Sequence, residues 1–102
     1  MLVALGACAV NGGLPAQRNH LRIGRILQEV YCTGTGLEPA SAIPNDPELP
    51  LLLDKVHPVH EVVRIDYFLP GCPPSGDAIW SFLGDLLAGR EPKLGHGLLH
   101  YD

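Results

Sequence analysis

Five consecutive residues, Pro70-Gly71-Cys72-Pro73-Pro74, limit what this chain can fold into more than any other stretch. Their prolines fix φ and remove backbone donors, so neither a helix nor a paired strand continues through them. The run before them must end at Leu69, and the next element must start afresh. The preceding run is VHEVVRIDYFL, Val59 to Leu69, where Val63, Ile65, Tyr67 and Leu69 alternate with Arg64, Asp66 and Phe68. That is the period of a strand with one face more buried than the other. The next element starts at Ser75, a residue suited to an N-cap, with Asp77 in the first turn where the helix dipole favours an acid. Ile79, Phe82, Leu83, Leu86 and Leu87 then repeat at helical spacing, and Gly89 and Pro92 mark the stop. A strand therefore passes through a rigid cysteine turn directly into a helix.

The first half has a related plan. Leu2 to Leu5 is continuously apolar, as in a buried strand, and Gly6 ends the run. The segment ACAVNGGLPAQRN reads as a loop, with Asn11, Gly12, Gly13 and Pro15 as its breakers. Ile23, Ile26, Leu27, Val30 and Tyr31 form one apolar stripe, which predicts a helix over Asn19 to Tyr31, weakened at Gly24. Gly34 to Pro50, with its prolines, Asn45 and Asp46, reads as a long ordered loop. Leu51 to Val56 reads as one or two helical turns closed by Pro58, and the tail after Pro92 reads as coil. Strand, helix, loop, strand, helix is an α/β order, and connections this long make the two strands parallel. Cys8 and Cys72 each lie just past the carboxyl end of a strand, the edge where open α/β sheets bind ligands, so both thiols are expected on one rim. Cys32 instead comes after a helix.

A length of 102 residues predicts a single domain near the lower size limit for an independent core. With 46% hydrophobic and 18% charged residues the chain is not disordered, and a net charge of −4 without a basic cluster argues against a nucleic-acid partner. Three widely spaced cysteines make no disulfide framework, which favours a reducing, cytoplasmic setting and thiol or metal chemistry. The longest apolar runs fall short of the roughly 18 residues of a membrane helix. MLVALGACAV can also be read as an export or lipid-attachment signal, but it lacks a basic lead and is too short. A chain that opens inside a strand suggests missing upstream sequence.

The turn at Cys72 suits a thiolate bound to iron. Pro70 and Pro73 keep the sulfur from swinging away, Gly71 lets the backbone come close, and nearby backbone N–H groups tune such sites. Structural zinc fits less well, because the sequence has no CxxC. Cys8 can alternatively be a small apolar residue at a strand end, and Gly6 to Gly13 a phosphate-cradling loop, although it lacks the G-x-G-x-x-G and lysine-bearing forms. Cys32 reads as a half-buried thiol ending a helix stripe. His57 and His60 fall in what reads as extended chain, where residues three apart point to opposite faces, and His20, His96 and His100 read as surface or loop residues.

Two segments carry a resemblance. GACAVNGG, Gly6 to Gly13, resembles the G-x-C-A...GG cluster loop of the small, electron-transferring subunit of NiFe hydrogenases, and PGCPP, Pro70 to Pro74, resembles that family's last cluster-ligand motif. NGGLPAQRN and HPVHEVVRIDYFLPGCPP are similar to the soluble, NAD-linked bidirectional branch, whereas PGCPP alone also occurs in the related subunit of respiratory complex I. The resemblance covers nearly the whole chain. It implies a flavodoxin-like α/β fold, a partial parallel sheet with flanking helices, that holds a proximal 4Fe-4S cluster. Cys8 and Cys72 would be two of the four ligands, with Gly6, Gly71 and Pro73 beside them. It implies an oxidoreductase whose partners are a NiFe large subunit and diaphorase subunits, and some relatives would allow FMN on this subunit. The other two ligands belong to a CxxC near the family's amino terminus, so residues 1–102 resemble the carboxyl-terminal part of one small-subunit α/β domain. The competing expectation is a non-catalytic flavodoxin-like binding module or docking remnant without a cluster.

Overall fold

The structure, a computed structural model, describes residues 1–38, 41–95 and 97–99. They gather into two compact units: Met1–Ala16 with the described part of His57–Asp102, and Gln17–Val56. His96 and His100, expected at the surface or in loops, lie outside the described residues.

The first unit contains β1 (Val3–Leu5), α1 (Ala7–Asn11), β2 (Tyr67–Leu69) and α3 (Gly76–Leu87), with a 3-10 turn over Val59–Glu61. β1 and β2 pair in parallel, Val3 opposite Tyr67, Ala4 opposite Phe68 and Leu5 opposite Leu69. The α/β order and the parallel pairing are those expected. α3 starts where Ser75 Oγ accepts the Ala78 N–H at 3.1 Å, with Asp77 in the first turn. It closes ahead of Gly89, which takes the left-handed φ of +72° that ends many helices.

Leu69, Ala78 and Phe82 form a core cluster, with Val3, Tyr67, Ile79 and Leu86 packed around them, and Ala4 of β1 is buried as well. Ala78 is fully buried in the same cluster as Leu69 of β2. Tyr67 meets Phe82 edge to face at 5.7 Å. Burying a side chain such as Phe82 contributes about 1.5–3 kcal/mol. Two residues of the expected stripe fall outside this core: Leu83 is 46% and Leu87 89% exposed, alongside Trp80 at 80%. The buried face of α3 is centred on Ala78 and Phe82, which cluster with Leu69 of β2.

Several expected boundaries move. The strand expected over Val59–Leu69 is only Tyr67–Leu69, since β1 offers three residues to pair and Pro58 leads into the 3-10 turn instead. Asp66 turns its carboxylate back to the Leu2 N–H at 2.8 Å. The segment read as a loop after β1 holds α1 and a 3-10 helix over Leu14–His20. There the Gly6 carbonyl accepts the Ala9 and Val10 N–H groups, starting a helix that Gly12 stops at φ +88°.

In the second unit the helix expected over Asn19–Tyr31 is α2 (Ile23–Tyr31), separated from the 3-10 helix by Leu21 and Arg22. Non-local bonds override local preference here. The Asn19 side chain donates to Val56 O at 2.9 Å and accepts the Val56 N–H at 2.7 Å, while Arg18 donates to the carbonyls of Leu53 and Asp54. The same bonds hold Leu51–Val56 out of the helical turns expected for it. Ile23, Leu27 and Tyr31 of the α2 stripe line a cavity of about 440 Å³ with Ile43, Leu49 and Leu52. Among the described residues, no helix is long and apolar enough to cross a membrane.

Candidate functional site

Each strand of the first unit hands over to a cysteine at the same distance. Leu5 and Leu69 are the last registered pair, and Cys8 and Cys72 each lie three residues further on (8 − 5 = 3; 72 − 69 = 3). The two turns are joined through the backbone: the Gly6 N–H donates to Leu69 O at 2.8 Å, and the Ala7 N–H donates to Gly71 O at 2.7 Å. Both thiols are exposed. The expected shared rim is thus where the fold puts Cys8 and Cys72.

Gly71 makes the second turn feasible. It is buried at φ +140°, and a Cβ there would stand 2.5 Å from Pro74 Cα and 2.6 Å from Pro74 N. No side chain fits between a backbone already in contact and a buried proline. Cys72 precedes a cis peptide bond to Pro73, which is exposed, while Pro74 is buried. Gly6 crosses nearby at φ +84°; a Cβ there would meet Gly71 O at 3.6 Å and Pro74 Cδ at 3.8 Å, ordinary contact, so its left-handed backbone rather than crowding calls for glycine. The Gly6–Leu69 and Ala7–Gly71 backbone hydrogen bonds hold the cysteine turns against one another.

On the other side, Cys8 is the second residue of α1, and the chain folds back on it. Gly12 and Gly13 are both left-handed, at φ +88° and +51°, and Asn11 Oδ1 accepts the Gly13 N–H at 2.9 Å. The Asn-Gly-Gly run signals a turn in the sequence, but not that it closes over the thiol.

Among the described residues, no histidine belongs to a group of three or more side chains that could hold a metal ion. The 3-10 turn Val59–Glu61 packs beside α1, so His60 is not in extended chain as expected. Its ring meets Phe68 edge-on at 5.7 Å, and His57 Nδ1 lies 2.7 Å from Glu61 Oε2. Cys32, half-buried, caps the end of α2 in the second unit and donates its N–H to Gln28 O at 2.9 Å.

Thiolates are the donors that iron–sulfur clusters take, and a 4Fe-4S cluster takes four. The two rim cysteines are donors of the kind such a group takes, at turns joined through the backbone, and they would make half of its donor set. Among the described residues there is no cluster of three or more His, Cys, Asp or Glu placed to hold a metal ion.

Comparison with known proteins agrees with the resemblance read from the cysteine loops. The chain is 44% identical over its whole length to the NAD-reducing hydrogenase HoxS subunit delta of Cupriavidus necator, of which it covers 50%. It is 30% identical over 93% of its length to an F420-non-reducing hydrogenase iron-sulfur subunit of Archaeoglobus profundus, covering 32% of that protein. A chain in the crystal structure of an NAD+-reducing NiFe hydrogenase in the H2-reduced state matches it over 100% of its length at 61% identity with a TM-score of 0.98, and 57% of that chain is covered. The chain thus spans little more than half the length, or less, of the relatives it matches. The family model described as NADH ubiquinone oxidoreductase, 20 Kd subunit, matches residues 1–86, and the chain belongs to that family.

Proposed function

We propose that this chain is the carboxyl-terminal part of an electron-transferring iron–sulfur subunit of a cytoplasmic NAD-reducing NiFe hydrogenase. It would relay electrons between the nickel–iron centre of a large subunit and a diaphorase. Cys8 and Cys72 supply two of four thiolates to a proximal 4Fe-4S cluster, and the other two come from outside these 102 residues. Carriage of FMN by the same subunit is the further possibility the resemblance raises. The observation that carries the reading is the pair of exposed thiols at equal offsets beyond two paired strands, tied by the Ala7–Gly71 hydrogen bond. The names of the relatives point the same way.

When bound, such a cluster supplies one-electron transfer. The chain's own part is positional. Gly71 and Pro74 fix the direction in which Cys72 leaves the sheet, and Gly6 sets the crossing that brings α1 and Cys8 beside it. Pro73 removes a backbone donor and limits the rotation of the residue before it. The exposure of both sulfurs leaves room for a group that neither side chain of this chain encloses.

The test uses the subunit assembled with its partners. Cys8→Ser and Cys72→Ser should each lower bound iron and abolish hydrogen-dependent NAD reduction, and Cys32→Ala should leave both at parental level. Equal iron in all the proteins would favour the docking module without a cluster.

A further inference from the structure

We propose that Gly13 is a positioning residue for the Cys8 thiolate, fixing the place of the sulfur by having no side chain. The proposal rests on the reading of Cys8 as a ligand. A Cβ at Gly13 would stand 3.1 Å from Cys8 Sγ, 3.0 Å from Cys8 N and 3.1 Å from Cys8 Cα. Carbon atoms pack best at about 3.5–4.0 Å, and the larger sulfur needs no less. Gly13 therefore forms a wall against one side of the thiol, and the sulfur occupies space that any other residue would fill.

Two features keep that wall in place. Gly13 holds φ +51° directly after Gly12 at φ +88°, a sequence of left-handed residues that only glycine adopts without strain. Asn11 Oδ1 takes the Gly13 N–H at 2.9 Å and closes the turn over the short helix that carries Cys8. Because that N–H is already donated, what Gly13 gives the thiol is room rather than a hydrogen bond. A side chain at this position would have to displace Cys8, either by rotating Sγ or by moving the first turn of α1. Either movement changes the hydrogen bonds and solvent exposure of a ligand sulfur, and these set the potential of an iron–sulfur centre.

The experiment separates the contact from the strain of a left-handed residue. In the full chain, the urea midpoints of Gly13→Ala, Cys8→Ala and the double variant form one cycle. Gly89→Ala, at φ +72° with nothing within 4 Å of its Cβ, is the strain control in both backgrounds. The loss on Gly13→Ala should be clearly smaller when Cys8 is already alanine, whereas the Gly89→Ala loss should be the same in both. In the assembled, iron-loaded complex, Gly13→Ala should shift the reduced-state paramagnetic resonance spectrum and the midpoint potential, and Gly89→Ala should keep the parental values. Additive losses overturn the proposal, as does a Gly13→Ala chain that folds in neither background or an iron-loaded variant with unchanged spectrum and potential. Coupling in the cycle together with iron content indifferent to Cys8→Ala would leave the contact standing and overturn the cluster reading instead.

Discussion

Replacing Gly71 by alanine should damage this fold more than any other glycine-to-alanine change outside the Cys8 turn. Three effects add. Holding alanine at φ +140° costs about 1–3 kcal/mol of backbone strain. The new Cβ would lie 2.5 Å from Pro74 Cα, and Pro74 is buried, so the turn itself has to move. Moving it breaks the 2.7 Å bond from Ala7 N–H to Gly71 O, worth about 1 kcal/mol. The strain and the lost hydrogen bond alone give about 2–4 kcal/mol, and the clash with Pro74 adds to that, the total being read as a fall in the urea midpoint at unchanged slope. Two controls divide the total. Gly76→Ala, in α3 with open space around it, should be neutral or stabilising by up to about 1 kcal/mol. Gly89→Ala should show left-handed strain alone, about 1–2 kcal/mol. A Gly71→Ala chain no less stable than Gly89→Ala would refute the argument that Pro74 blocks the position.

The core and the rim give further expected outcomes. Phe82→Ala removes the aromatic ring from the Leu69–Ala78 cluster and should cost about 3–5 kcal/mol by calorimetry or urea unfolding. Ser75→Ala removes the side-chain oxygen that caps α3 and should cost about 1 kcal/mol, with glycine at the same position costing less. Anaerobic reconstitution of residues 1–102 with iron and sulfide should give no stable 4Fe-4S signal by paramagnetic resonance, and supplying a CxxC-bearing segment should restore it.

What could be read from the sequence divides along a physical line. The parallel pairing, the end of β2 at Leu69 and the Ser75 cap were legible because prolines and caps act within a few residues. So was the shared rim of Cys8 and Cys72, which needs only a strand ending at each. The lengths of the elements were less legible. Val63–Asp66 continues the strand-like alternation but, among the described residues, lies beyond the reach of β1, and Asn19 looks helical but is taken by Val56 across a long loop. Ala7–Asn11 became helical although its asparagine and the glycines beside it signal a loop, because Gly6 accepts its first N–H groups. The closeness of Gly13 to Cys8 and of Gly71 to Pro74 depends on where positive-φ residues send the chain, and a letter in the sequence does not record that.

If Cys8 and Cys72 act together as ligands, as proposed, differential alkylation should reveal it. Both thiols are exposed in the chain itself, so any protection in the assembled subunit that disappears with iron belongs to the bound group. The complex is alkylated anaerobically before and after iron chelation, and each cysteine is tracked by mass spectrometry. Cys8 and Cys72 should be shielded before chelation and become labelled together after it, while labelling of Cys32 should not change. Equal labelling of Cys8 and Cys72 with and without iron would contradict the proposal.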